Sequence, residues 1–327
     1  MILLLSSSSD VNMDFVILWL RIFNHNYIRI NADEILEGGF YVSVIDKELH
    51  IKEKVVELDR VNAVWFRKFG GFSKTQYYKN VRGKINHSDL QQISNENNSI
   101  LNALVSMVKG KKWLTPPWLA HLNKMDILTL AMSCGLSIPK TYLVSNKQLI
   151  TQKLKNTGNI ITKSVYEPYF IQKENGFYSM FTKEIKLNDI ENLPDTFFPS
   201  LIQEKIQKKY EIRVFYIDGH FYSMAIFSQQ NKATELDFRK YDWEKPNRRV
   251  PYQMPKSLEE KIDRMLRKLK LNCCSIDIIK SSVDNEYYFL EINPTGEFGM
   301  VAIPCNYELY KKIALTLIKM DTADELQ

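Results

Sequence analysis

SIDIIKSSVDNEYYFLEINPTGEFG, residues 275–299, decides how the rest of the chain is read. Two β-rich runs flank a polar stretch holding Asp284 and Asn285, the composition of a hairpin. A hairpin centred on Asp284 sets Asp277, seven residues before, opposite Glu291, seven after. Like charges directly opposite one another destabilise a sheet, so this pair breaks a local rule unless a cation lies between them. Side chains at i and i+2 share a strand face, so Asn293 joins Glu291 and Asp277 as a third oxygen donor. Hard oxygens of this kind suit Mg²⁺ bridging substrate phosphates. A register one residue off turns Asp277 to the other face. It is then a solvated strand-end residue, and Asn293 only starts the turn before Pro294.

The 327 residues, 45% hydrophobic and 25% charged, suffice for about two or three packed lobes. Forty-four basic against 38 acidic residues leave a net charge of +6, which suits an anionic ligand or acidic partner. No Lys/Arg block dominates, so nucleic acid is not an expected partner. The opening MILLLSSSSD has a short apolar run with no basic stretch before it, and reads as a buried strand entering a loop rather than a signal peptide. No apolar run reaches membrane-spanning length, so no membrane partner is expected and a cytoplasmic protein is. Cys134, Cys273, Cys274 and Cys305 form no CxxC pair and read as buried thiols.

ILLLS, a helix over 11–24 and YIRIN form a βαβ start, and FYVSVI and LHIKEKVVEL alternate like antiparallel strands. Residues 84–108 recur helically, with Leu90, Ile93, Ile100, Leu101, Leu104, Val105 and Val108 on one side. Thr115, Pro116 and Pro117 break the chain and mark a first lobe boundary. Beyond it come a helix ending near Gly135, strands in SIPKTYLVSN and NIITKS, a strand pair around Gly176, and a last β-rich lobe that includes the helix LEEKIDRMLRKLK.

Cations for phosphates stand upstream of the hairpin. Lys163 lies within the strand NIITKS and Lys124 opens a helix, near its positive end. Either lysine taken alone also fits a solvated side chain. Gln203 and Glu204 end the apolar strand LIQEK, either as a strand leaving the core or as partners for an adenine edge. Glu211 and Arg213 share one strand face, as a plain ion pair or as a ribose acceptor and a phosphate donor.

Taken in order, NKMDIL, ITKS, QEKI, EIRV, DFRK, SIDII and LEINPTGEFG resemble the ATP-grasp superfamily of carboxylate ligases over roughly residues 115–315. The N-terminal stretch, VWFRK and NPTGEFGMVAIPCNY are similar to graspetide synthetases of microviridin-like and grasp-with-spasm systems, which install ester or amide crosslinks in ribosomal peptides. The resemblance implies an α/β (α+β) ATP-grasp fold: a pre-grasp domain over 1–115, a central lobe over 116–200, and a C-terminal lobe over 201–327 with the Mg²⁺ site. It implies ATP and two Mg²⁺ ions as cofactors, a precursor peptide of leader plus core as partner, and a homodimer.

Under that resemblance Asp277, Glu291 and Asn293 hold the metals, Lys124 and Lys163 the α- and β-phosphates, Gln203 and Glu204 adenine, and Glu211 the ribose. Arg213 and Arg239 stabilise the transferring phosphoryl group and the acyl phosphate, because a guanidinium fork fits both. The segment FRKYDWEKPNRRVPY reads either as a solvated loop or as a core-peptide contact, with Arg239 and Trp243 lining the site and Arg248 or Arg249 offering charge, and the acidic stretch with Asp189 and Glu191 as a leader contact. Gly296 and Gly299 are expected to let the backbone turn near the phosphates. Ligases that add free glutamate carry Asn two residues after the Arg of DFR, where this chain has Tyr241. Crosslinking is therefore favoured over addition of a free amino acid or amine, and a non-catalytic nucleotide-binding module is the alternative of another class.

Overall fold

A computed structural model describes residues 1–166, 170–173, 176–229, 231, 234–238, 240, 242 and 244–323, with only the backbone for 170–173 and 176–179. The chain divides into two compact units. The first holds Met1–His121, Leu271–Cys274 and Pro294–Gln327, and the second Leu122–Lys270 and Ser275–Asn293.

The first unit is built on the ILLLS run. All five residues of the strand Ile2–Ser6 are buried, the pattern of a strand covered on both faces. It pairs in parallel with Tyr27–Asn31 on one side and Ala63–Phe66 on the other, and Lys112–Leu114 completes the sheet. The helix Val11–Ile22 makes the first crossover by burying Met13, Val16, Ile17 and Leu20, one helical stripe. The C-terminal helix Leu309–Thr322 packs against it.

The expected antiparallel strands are Phe40–Ser43, Glu48–Ile51 and Lys54–Glu57, whose Leu49, Ile51 and Val56 enter the same core as Leu3, Ile30 and Val64. The helix His87–Met107 covers that core with Leu101 and Leu104, and its first turn is closed by Asn86, whose side-chain oxygen accepts from the Asp89 amide at 2.8 Å. Each such fully buried aliphatic side chain contributes about 1.5–3 kcal/mol.

Residues 294–327 fold with the N-terminal sheet, whereas the sequence suggested a single C-terminal lobe over 201–327. The physical reason lies in the turn after Asn293. Arg67, 2% exposed at the end of the Ala63–Phe66 strand, donates from Nη1 to the carbonyls of Thr295 and Gly296, both at 2.9 Å. Its Nη2 donates to Glu297 Oε2 at 3.0 Å. Gly296 and Gly299 also have structural work, and neither is among the residues with a positive φ. The Gly296 carbonyl belongs to Arg67, and a Cβ at Gly299 would lie 2.8 Å from both Asn12 Oδ1 and the Tyr310 hydroxyl.

Among the described residues the second unit contains the antiparallel pair Phe170–Lys173 and Gly176–Ser179, expected around Gly176, and two larger antiparallel sheets. One runs in the order Lys183–Ile185, Ile160–Lys163, Thr196–Glu204, Thr141–Asn146, and packs Val144, Ile160 and Ile202 against Ile150 of the helix Lys147–Thr157. The other runs Arg248–Tyr252, His220–Phe227, Lys208–Ile217, Cys273–Ser281, Tyr287–Asn293. The helix Lys256–Leu269 turns Leu258, Ile262, Met265 and Leu266 inward at helical spacing. Among the described residues no helix is long and apolar enough to cross a membrane.

Candidate active site

The hairpin read from the sequence forms with the expected pair. Asp277 lies opposite Glu291, and Ser275 opposite Asn293. The route to that register is less direct. Ile278 pairs with Phe289 and Lys280 with Tyr287, so the turn is centred between Val283 and Asp284 rather than on Asp284. The register then shifts between Asp277 and Ile278, where Leu290 is an extra residue on the second strand. This β-bulge brings Glu291 opposite Asp277, which the turn alone would set opposite Leu290. The turn itself is held by Asp284, which accepts from the Tyr288 hydroxyl at 2.7 Å and the Glu286 amide at 3.0 Å. Bonding to Ser281, Tyr288 and Glu286 lowers the pKa of the Asp284 carboxyl to about 2.

Two carboxylates facing each other need cations, and the structure supplies them from neighbouring elements. Arg213 Nη1 donates to Asp277 Oδ2 at 2.6 Å, with the two side chains 8% and 16% exposed. Lys124 Nζ stands 3.8 Å from Glu291 Oε2, and donates to the carbonyls of Ser164 at 2.8 Å and Tyr166 at 3.1 Å. Lys124 is the first residue of the helix Lys124–Ser133, whose N-cap Asn123 accepts from Met125 and Asp126. Its ammonium thus sits where the sequence placed a positive helix end. Among the described residues no three His, Cys, Asp or Glu side chains gather to hold a metal. The set here is two carboxylates and the exposed amide of Asn293, the sparse ligation Mg²⁺ accepts when phosphates and water complete its shell.

A cavity of about 500 Å³ lies within the second unit, a volume suited to a ligand of nucleotide size. Lys163, Gln203, Glu204, Glu211, Arg213, Asp277 and Glu291 all contribute to its wall, and Lys124 and Asn293 do not. Lys163 ends its strand in register with Leu201, on the strand that leads to Gln203. Gln203 is buried, and its Nε2 donates to Thr141 Oγ1 at 2.8 Å, so part of its amide is already engaged. The Glu204 amide donates to the Lys140 carbonyl at 2.9 Å, and Glu204 Oε2 accepts from the Lys140 amide at 3.3 Å.

Glu211 and Arg213 are each 7% exposed and lie on one face of their strand. Glu211 Oε1 accepts from Lys208 Nζ and from Ser228 Oγ, while Glu211 Oε2 and Arg213 Nε are buried with no hydrogen-bond partner among the described residues. Buried polar atoms left open in this way are costly, and they mark where a ligand's donors and acceptors fit.

Asp189 and Glu191 lie on the short helix Leu187–Glu191 and are not part of the cavity wall. Asp189 accepts from Lys183 Nζ at 2.8 Å and from the Lys186 amide at 2.9 Å, a capping role. Those bonds, Lys183 first, hold its carboxyl below the usual range. Arg239, Trp243 and Tyr241 lie outside the described residues.

Sequence reasoning missed Lys208 and Asp237, both on the cavity wall, and the buried Arg67. A Lys pair at 208–209 carries no local signal of which one turns inward. For Arg67 the available signal was a base directly after the apolar run AVWF.

No protein-family model matches this chain, and no curated protein does. Solved structures do. A Chryseobacterium gregarium RiPP-associated ATP-grasp ligase, in complex with ADP and a leader and core peptide, is 23% identical with a TM-score of 0.85, over 97% of this chain and 96% of its own. The macrocyclase MdnC of Microcystis aeruginosa MRC, bound with precursor peptide MdnA, is 25% identical with a TM-score of 0.82, over 98% and 99%. D-alanyl-alanine synthetase A of Vibrio cholerae is 13% identical with a TM-score of 0.58, over 98% and 97%. With its clasping pair of antiparallel sheets and its bulged acidic hairpin, this chain has the ATP-grasp fold and resembles the graspetide macrocyclases.

Proposed function

We propose that this chain is an ATP-dependent ligase that phosphorylates Asp or Glu side chains of a ribosomally made precursor peptide and closes ester or amide crosslinks with Ser, Thr or Lys side chains of the same peptide. The observation that carries the reading is the Asp277–Glu291 pair, set opposite by the bulge and lying with Arg213 on the wall of a nucleotide-sized cavity. The likeness to MdnC, which was solved with its precursor peptide, supports the peptide as substrate.

The residues present fit ATP and two Mg²⁺ ions. Asp277, Glu291 and Asn293 would hold the metals, which supply charge neutralisation on the phosphate oxygens. Glu211 Oε2, buried and open, is an acceptor for a ribose hydroxyl. Lys163 and Lys124 offer ammonium groups to phosphate oxygens, and Gln203 and Glu204 border the adenine. Arg213 turns one nitrogen to Asp277 and keeps Nε open, so one guanidinium can orient a ligand carboxylate and meet the charge that develops during transfer. Arg239 is assigned to the acyl phosphate, and Trp243 to the core peptide. Because Asp189 is engaged in capping its helix, Glu191 is the better candidate of the two for a leader contact. Excluding water from the cavity protects the activated carboxyl until the nucleophile attacks.

Product mass separates this reading from ligation of a free amino acid or amine. Incubation with a candidate precursor, ATP and Mg²⁺ is expected to remove one water per crosslink. A product heavier by an amino-acid residue would replace the crosslinking reading with the ligation reading, and ATP left unconsumed would favour a binding module. The enzyme is proposed to act in the cytoplasm, where ribosomal peptides arise, and as a homodimer. Val11, Phe15, Leu18 and Ile22, exposed at helical spacing on the Val11–Ile22 helix, support the dimer. Sedimentation at the mass of a single chain would remove it.

A further inference from the structure

Lys208 opens the strand that carries Glu211 and Arg213, and the steps above use neither its charge nor its position. Its side chain is 8% exposed. The ammonium donates to Glu211 Oε1, to Ser228 Oγ at 3.3 Å and to the Leu236 carbonyl at 3.4 Å. Ser228 Oγ donates in turn to the same Glu211 oxygen at 3.3 Å. Next along, Asp237 is buried on the cavity wall and accepts from the Thr182 amide at 3.4 Å. One cation thus joins Ser228 and Leu236 to the carboxylate of Glu211, two residues before Arg213.

Burying an ammonium is expensive, and an apolar side chain would pack the same space without that cost. Burial pushes Lys208 down to about 8, against the attraction of Asp237 and Glu235 and with added repulsion from Lys205. The charge is kept despite that cost, which points to a use for it.

We propose that Lys208 is a positioning residue: its ammonium fixes the Glu211 carboxylate with Oε2 left open to the nucleotide, and ties Ser228 and Leu236 to the same wall, so that ribose recognition and the placing of these two residues are set together. The nucleotide role rests on the reading of the cavity given above, whereas the tie to Ser228 and Leu236 exists without it. The charged groups facing the ammonium are Glu211 on its own strand, Glu235 and Asp237 on either side of Leu236, and Lys205 before it.

The test pairs Lys208→Met and Lys208→Arg with the full-length chain. Hydrogen exchange at the amides of Ser228, Gln229 and residues 234–236, without nucleotide at pH 7, is expected to rise about 10-fold or more in Lys208→Met and to stay near wild type in Lys208→Arg. Calorimetry with Mg·ADP is expected to show affinity about 10–100-fold lower in Lys208→Met. In the wild type that affinity falls as pH rises through about 8, where the ammonium loses its proton. Lys208→Arg keeps its charge and its affinity across the same range. Unchanged exchange and unchanged affinity in Lys208→Met overturn the proposal. A wild-type pH profile that persists in Lys208→Met overturns the assignment of the titrating group. Faster exchange in Lys208→Met, in a protein whose wild type binds no Mg·ADP, supports the tie and overturns the nucleotide reading instead.

Discussion

Replacing Glu291 with Gln is expected to abolish ATP-dependent water loss from the peptide while leaving the fold intact. The substitution keeps shape and one acceptor oxygen but removes half the negative charge of the Asp277–Glu291 pair, which is the charge a Mg²⁺ ion needs. Metal-assisted phosphoryl transfer draws several kcal/mol from such ions, so turnover should fall about 10²–10⁴-fold. The melting temperature without Mg²⁺ should hold or rise, because one of two facing carboxylates has been neutralised. Mass spectrometry of the peptide and a melting curve read the two effects apart. An undiminished yield of dehydrated product would sink the metal assignment.

Arg213→Met is expected to be destabilising as well as inactive. Arg213 and Asp277 are 2.6 Å apart and mostly buried, and removing one partner of a buried pair costs about 3–5 kcal/mol because the other charge is left uncompensated. Here the penalty is compounded, since the stranded Asp277 also faces Glu291 across the ladder. A cation delivered to the site should relieve it. Mg²⁺ is therefore expected to raise the melting temperature of Arg213→Met by more than it raises that of the wild type, a readout independent of turnover. If Mg²⁺ moves both proteins equally, the two carboxylates do not form a cation site. A variant that melts with the wild type would show that Arg213 does not neutralise Asp277.

The Lys208 substitutions probe the strand end that leads to Glu211, and the two sets of variants separate by kind of effect. Glu291→Gln acts on charge at the phosphates, Arg213→Met on compensation of Asp277, and Lys208→Met on the placing of Glu211, Ser228 and Leu236. Only the last is expected to change a pH profile near 8.

Much of the site was legible because its signals are local. An Asp and a Glu at mirrored distances from a turn, an Asn two residues on, and a Glu and an Arg two apart on a strand all follow from strand periodicity. The cavity then gathers Lys163, Gln203, Glu204, Glu211, Arg213, Asp277 and Glu291 from five separate strands. The bulge at Leu290 was not legible, since any apolar residue can supply the extra position. Even so, the expected pairing survives through it, because the shift of turn centre and the bulge offset one another.

By itself the sequence determined the βαβ start and the acidic hairpin, because periodicity and charge are written residue by residue, and the order of its motifs carried the resemblance that implied the ATP-grasp fold. Tertiary structure alone decided that residues 294–327 belong with the N-terminal sheet, that Gly299 makes room for Asn12 and Tyr310, and that Lys208 rather than Lys209 turns toward Glu211. Each of these depends on which distant side chain fills a given space. Arg67 meets Gly296 across more than two hundred residues of chain, and no local pattern records such a meeting.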